Sequence, residues 1–184
     1  MSTGLTVGSL LPDFELPDDE GVKHRLSDLQ GDNAMVLTLG RGEHCPRERQ
    51  HLRELVSFHQ WCAVAYTSLV TVLPNDLHDT GKMRIATGAY WPFLSDGDLE
   101  VQRTLDIREY TDVHHEHAGV PHTLVLAPGL VIDKVYVGYW FWGRPSPWQL
   151  WEDLQDLYRR IKPDFDPTTA EARARWEAGR PADA

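Results

Sequence analysis

The hydrophobic pattern changes period within the first third of this chain. The apolar run Met35–Leu39 has the length of a buried strand and ends at a glycine, Gly40. Apolar residues then recur at helical spacing from Cys45 to Gln60, with Pro46 in the first turn, where proline is favoured. The pattern predicts a strand, a tight turn and a long helix beginning near Cys45.

The remaining segments continue the alternation of strands and helices. Pro128-Gly129 is a strong hairpin signal between two strand-like runs. The predicted strands are 12–17, 63–73, 92–94, 122–126 and 131–137, and the predicted helices are 75–87, 99–105, 147–161 and 169–178. This order is typical of an α/β protein with a central mixed sheet covered on both faces.

Length and composition are those of one ordinary globular domain. The chain has 184 residues, 41% hydrophobic and 25% charged. We expect a domain over residues 1–162 and a tail over 163–184 with one short helix. Since no apolar run approaches the roughly 20 residues of a membrane span, and the first residues lack a basic start, we expect a cytoplasmic protein without a membrane partner.

The net charge of the chain limits the kinds of partner that it could bind. The formal net charge of −10 argues against nucleic acid or an anionic membrane surface. The densest basic group, Arg47, Arg49 and Arg53, is interleaved with acidic residues and is interpreted as a solvated helix face.

Cysteine use points to one position. Only Cys45 and Cys62 occur, which is not a disulfide framework. Cys45 is predicted at a helix N-terminus, where free N–H groups and the helix dipole stabilise a thiolate. Arg41 and His44 add positive charge beside it, while acidic neighbours oppose this. The alternative is a buried, inert cysteine.

Three separated motifs carry a family resemblance. Residues 7–16, VGSLLPDFEL, and 26–29, LSDL, resemble the N-terminal signature of the peroxiredoxin and redoxin (AhpC/TSA) family. Residues 41–46, RGEHCP, resemble the active-site stretch of its peroxiredoxin-like branch. Residues 119–123, GVPHT, resemble the cis-proline loop of thioredoxin folds. The resemblance implies a thioredoxin-like fold with an N-terminal β-hairpin extension and a C-terminal helical tail.

Two departures from the family pattern remove the expected partners of Cys45. The threonine-containing pocket segment of typical peroxiredoxins is absent, and Glu48 stands where dithiol proteins have a second cysteine. Cys62 should lie on the order of 20 Å away, because a helix rises about 1.5 Å per residue. A disulfide needs Cα atoms within roughly 7 Å, so Cys62 is a poor partner.

The resemblance then implies a thiol-dependent peroxide reductase with antioxidant activity. Cys45 would react with a peroxide and be recycled by an external thiol, either small or on a thioredoxin-like protein. The family's arginine that holds the thiolate and the peroxide has two candidates here, Arg41 and Arg144, and Pro121 would shape the pocket wall. No cofactor and no resident metal are expected in this interpretation.

Two other clusters keep alternatives open. His114, His115, His117 and His122 crowd one loop opposite His44 and Cys45, so a metal-binding protein is an alternative, although their spacing matches no zinc motif. The aromatic run 136–145 suits packing of an edge strand or a homodimer contact. A catalytically silent redoxin-fold protein that binds a partner through these aromatics is the other alternative.

Overall fold

The computed structural model describes residues 5–112, 114–115, 117–138, 143–163, 166 and 168–180. A five-stranded mixed sheet with strand order β5-β4-β3-β6-β7 organises the chain. The strands β3, β4 and β5 run parallel, whereas β6 and β7 are antiparallel to their neighbours. The mixed sheet predicted from the sequence is confirmed.

The elements follow one another in the predicted order. The strands are β1 Glu15–Pro17, β2 Lys23–Arg25, β3 Met35–Leu39, β4 Ser68–Leu73, β5 Phe93–Ser95, β6 His122–Ala127 and β7 Val131–Val137. The helices are α1 Leu26–Gln30, α2 Pro46–Val64, α3 Leu77–Thr87, α4 Glu100–Leu105, α5 Pro147–Ile161 and α6 Ala170–Ala178. The first two strands form the expected N-terminal hairpin, in register Leu16 to His24.

Both faces of the sheet are covered by apolar side chains. On one face α2, α3 and α5 contribute buried residues such as Phe58, Met83 and Leu154. On the other face the N-terminal segment, α1 and α4 contribute residues such as Phe14, Leu26 and Val101. Alternate residues of β3 supply the two cores, which is why all five of its residues are buried.

The strand predicted from residue 63 is wrong at its start. The helix α2 continues to Val64, Ala65 closes it, and β4 begins only at Ser68. The run of small apolar residues at 63–65 fits a strand or a helix end equally well by pattern. Cys62 is completely buried, whereas Val64, two residues later, is 77% exposed. Residues two apart would share one face of a strand but lie on different sides of a helix, as they do here.

The carboxyl end of β3 positions the candidate site. Gly40 follows β3, its N–H donates to the Val72 carbonyl, and the chain then turns into α2. A Cβ on Gly40 would collide with Leu73 and come within 3.4 Å of the Glu48 side chain. A larger residue at this position would displace the Leu73 side chain of β4, so glycine keeps the end of β3 close to β4.

The helices of the described residues can be compared with the requirements of a membrane span. None of their helices combines the length and the apolar character needed to cross a bilayer.

Candidate functional site

Cys45 lies at the N-terminal end of α2, as predicted. It is the N-cap residue with extended backbone angles, and its N–H donates to the Gly42 carbonyl. The side chain is buried at 5% exposure and makes no cap hydrogen bond of its own. The sulfur is thus enclosed at the positive end of a 19-residue helix.

Arg144 is the arginine that reaches this sulfur. Its Nη2 lies 4.0 Å from Cys45 Sγ, at the outer limit of a hydrogen bond to sulfur. The two residues are 99 positions apart, so only the fold brings them together. Arg144 therefore brings a positive charge next to the sulfur.

Glu48 fixes Arg144 in place. Its Oε2 accepts hydrogen bonds from Arg144 Nη2 at 2.9 Å and Nε at 3.3 Å, and from the Arg41 N–H at 3.3 Å. Burial by itself would raise the pKa of this carboxyl. His51 and the Arg144 charge outweigh burial and hold the pKa below its usual range. The carboxylate is ionised and the guanidinium is oriented by it.

His51 links the same carboxylate to the segment that carries Arg144. Its Nε2 lies 3.2 Å from the Pro145 carbonyl oxygen, and its Nδ1 lies 4.0 Å from Glu48 Oε1. The imidazole is buried at 4% exposure. With Nε2 donating to Pro145, the ring ties α2 to the chain one residue beyond Arg144.

Arg41, the other predicted arginine, is turned toward a different partner. Its Nη2 donates to Asp112 Oδ2 at 2.6 Å. Its backbone still belongs to the site, because its N–H donates to Glu48 and its carbonyl accepts from the Gly119 N–H at 3.3 Å. The structure therefore brings Arg144 to the sulfur and Arg41 to Asp112.

Pro121 lies at the same edge of the sheet, immediately before β6. The following residue, His122, is opposite Leu39 at the end of β3. The cis-proline expectation is wrong, since the described residues contain no cis peptide bond. The Val120 N–H donates to the Ile107 carbonyl and the Pro121 carbonyl accepts from the Gly138 N–H, each at 2.7 Å, so the residues on both sides of this trans bond are anchored to neighbouring segments.

Cys62 is remote and inert, as predicted. It lies in the last turn of α2, completely buried among core side chains. Burial raises the pKa of its thiol to about 12. Cys45 thus has no second thiol of this chain within disulfide distance.

In the histidine loop, His115 meets His44, whereas His122 lies apart. His115 stacks on His44 with ring centroids 3.7 Å apart, and both lie beside Asp112. His122 is separate, buried at 2% exposure with Nδ1 on the Val120 carbonyl. Burial lowers the pKa of His44 to about 4, so the positive charge expected from this residue is absent at neutral pH.

Comparison with known sequences places most of this chain within one protein family. The sequence model of the AhpC/TSA family matches residues 7–135, about two thirds of the chain and including Cys45. The chain belongs to the AhpC/TSA family.

One known relative of this AhpC/TSA protein is a thiol-disulfide oxidoreductase. The thiol-disulfide oxidoreductase ResA of Geobacillus thermodenitrificans is 39% identical over 59 residues, which are 32% of this chain and 34% of ResA. The chain thus matches about a third of that relative's length.

Solved structures show the shared fold. The peroxidoxin BcpB of Mycobacterium tuberculosis superposes with a TM-score of 0.71 at 21% identity, covering 86% of this chain and 99% of that one. Reduced Prx3 of Vibrio vulnificus in complex with H₂O₂ has a TM-score of 0.65 at 21% identity, covering 73% and 88%. At these identities the likeness establishes the fold alone.

The aromatic run of the AhpC/TSA chain is described only in part. Residues 139–142 lie outside the described residues. Before them, the Tyr136 hydroxyl donates to Asp153 Oδ2 of α5 at 2.5 Å. The end of β7 is therefore packed against α5, in line with the edge-strand interpretation.

Sequence reasoning missed Glu48 and Asp112 as organisers of this AhpC/TSA site. From the sequence, Glu48 is interpreted as an acidic neighbour of Cys45 and as the residue in place of a second cysteine, and not as a partner of Arg144. Its signal was available, because Glu48 shares the inward helical spacing of Leu52 and Leu55 and is therefore a carboxylate on an apolar face. Asp112 had no such signal, since 71 positions separate it from Arg41.

Proposed function

We propose that this protein is a thiol-dependent peroxide reductase that works through Cys45 alone. The observation that carries the proposal is the enclosure of Cys45 Sγ at the start of α2, with Arg144 Nη2 4.0 Å away and Cys62 at the far end of the helix. The complex of Prx3 with H₂O₂, a structure of the same fold, supports a peroxide as the substrate.

The first step oxidises the sulfur. The Cys45 thiolate attacks one oxygen of the peroxide, the O–O bond breaks, and the other oxygen leaves as an alkoxide or hydroxide that takes a proton from solvent. The sulfur loses two electrons and becomes a sulfenic acid, while the peroxide becomes an alcohol or water. Arg144 is the group that would bind the attacked peroxide and offset the charge on the leaving oxygen.

The second step needs two external thiols. One thiol attacks the sulfenic sulfur and releases water, giving a mixed disulfide on Cys45. A second thiol attacks this disulfide, returns Cys45 to its reduced form and leaves as the oxidised disulfide. A small thiol or a thioredoxin-like protein supplies these electrons, because Cys62 is out of reach.

The other predicted site residues take supporting roles in this proposal. Arg41 uses its backbone, which holds Glu48 and Gly119, to shape the turn before Cys45. Pro121 forms the opposite wall of the site at the start of β6. Neither side chain is assigned to the reacting sulfur.

The deciding experiment follows the sulfur and the peroxide together. Stoichiometric H₂O₂ should add one oxygen to Cys45 by mass spectrometry, and excess dithiothreitol should sustain peroxide consumption. Cys45→Ser should abolish both results, whereas the control Cys62→Ala should retain them. Unchanged consumption in Cys45→Ser would overturn the proposal.

The ResA match favours one competing activity, thiol–disulfide exchange. It would use the same Cys45 and yield a mixed disulfide with an oxidised substrate. If Cys45 reacts with a disulfide peptide but leaves H₂O₂ untouched, exchange and not peroxide reduction is the function.

A further inference from the structure

A second group of polar side chains lies beside the Cys45 turn. His44 comes from the turn before α2, whereas Asp112 and His115 come from the loop before β6. One donor atom from each of the three lies within 4.8 Å of the others. The imidazoles of His44 and His115 stack with their planes 8° apart.

One donor in this group has no hydrogen-bond partner. His44 Nε2 is shielded from solvent and accepts or donates no hydrogen bond among the described residues. A buried nitrogen of this kind carries a desolvation cost unless a ligand or water meets it. His115, in contrast, directs Nδ1 at Asp112 Oδ2, 3.0 Å away, which orients its ring.

We propose that His44, Asp112 and His115 form a binding site for one divalent transition-metal ion of the zinc type. Two imidazoles and one carboxylate are ligands that zinc accepts, with water completing the coordination. Zinc–nitrogen bonds of about 2.0–2.1 Å place ligand atoms about 3.3 Å apart in a tetrahedron. Because the ligand atoms all lie within 4.8 Å of one another, no separation in the group has to contract by more than about 1.5 Å, a change that side-chain rotation can supply.

The charges around Asp112 keep it an anion. Its Oδ1 accepts the N–H groups of His114 and His115, and its Oδ2 accepts Arg41. Each carboxylate oxygen has two lone pairs, and one on Oδ2 faces His115 Nδ1. A metal would therefore replace this contact at Oδ2 and leave the Arg41 ion pair in place.

The adjoining surface adds further negative charge. His44 and His115 line a pocket of about 420 Å³, whose wall also includes Asp76 and Asp79. These two carboxylates offset the Arg41 guanidinium, which lines the same pocket. A cation approaching the imidazoles meets three carboxylates against two cationic side chains, because Lys82 is ion-paired with Asp79 and Arg41 with Asp112.

The test uses zinc itself on the untagged full-length chain after EDTA treatment and buffer exchange. Titration against a chromophoric zinc chelator should give one ion per chain. His44→Gln and His115→Gln should each weaken binding at least about tenfold, since each removes one of three protein ligands. His114→Gln in the same loop and His78→Gln on the surface of α3 are matched controls and should bind like the parent.

Two outcomes would overturn the site. Wild-type affinity in both His44→Gln and His115→Gln would exclude these imidazoles as ligands. Loss of binding in Cys45→Ser with retention in His115→Gln would assign the ion to the thiolate instead. His115 is 43% exposed, so His115→Gln should fold even if His44→Gln does not. Peroxide consumption assayed in EDTA tests the proposed function separately.

Discussion

Arg144 and Glu48 form an almost fully enclosed ion pair, with Nη2 2.9 Å from Oε2 and side-chain exposures of 12% and 2%. Arg144 belongs to the segment before α5, whereas Glu48 lies in the first turn of α2. The pair therefore joins two elements and also sets the position of the cation nearest Cys45. Its removal should affect both stability and reactivity.

Arg144→Met should lower the free energy of unfolding by about 3–5 kcal/mol, because it leaves a buried carboxylate without its cation. The double variant Glu48→Gln/Arg144→Met should lose less than the sum of the single changes. Urea denaturation of the four proteins measures this coupling. Additive losses would contradict the pairing.

Arg144→Met should also slow peroxide consumption by Cys45 about 100-fold, since a preorganised donor to the developing charge is lost. Arg53→Met, an exposed arginine of the same helix, is the control and should keep the parent rate. Stopped-flow peroxide kinetics would decide. A parent-like rate in a folded Arg144→Met would leave Arg144 without a catalytic role.

Glu48 should also shape the acid side of the stability curve. Its pKa in the folded protein lies below the ordinary value, so its ionised form stabilises the fold at neutral pH. That contribution is lost as the pH falls below the ordinary value of about 4.3 toward the lowered folded value. The stability difference between the parent and Glu48→Gln should therefore shrink from pH 7 to pH 3, while exposed Glu54→Gln shows little difference throughout.

His51→Phe should loosen the attachment of Arg144. The Pro145 carbonyl would lose its buried donor, which costs about 1–3 kcal/mol. We expect slower peroxide consumption as well, because the residue next to Pro145 is Arg144. His51→Gln, which retains a donor, should recover part of both losses. Equal effects of Phe and Gln would show that only the size of the side chain matters.

The two thiols should differ sharply toward alkylation. Iodoacetamide at pH 8 should modify Cys45 in the native protein, whereas Cys62, buried and with a thiol pKa of about 12, should react only after unfolding. Peptide mass spectrometry with and without urea reads this out. Native labelling of Cys62 at the rate of Cys45 would contradict the buried position.

The fold was predictable where local signals agreed. The helix α5 matches its predicted bounds, because Ser146 caps it, Pro147 begins it and its leucines recur at helical spacing. The strand β3 also matches its predicted bounds, because its apolar run is continuous. The pattern itself does not locate β2 or α1, since three and five residues are too few to show a period, and the hairpin that contains β2 is expected from the family resemblance alone. Their conformation depends on tertiary contacts such as that of Ser27 with Asp13.

The site was predictable only along α2. The N-cap position of Cys45 follows from a strand, a turn and a helix that are adjacent in sequence. The choice between Arg144 and Arg41 does not, because each guanidinium is directed by an acidic partner on another element, 96 and 71 positions away. Long-range ion pairs leave no periodic trace in a single sequence.

The length of α2 has a kinetic consequence. Cys45 caps this 19-residue helix and Cys62 lies in its last turn, so no ring closure within the chain can compete with an incoming reductant. In the proposed cycle, the lifetime of oxidised Cys45 is then set by a second-order collision and scales inversely with reductant concentration. At a constant supply of peroxide, the oxidised fraction of such a protein becomes a measure of the thiol pool around it.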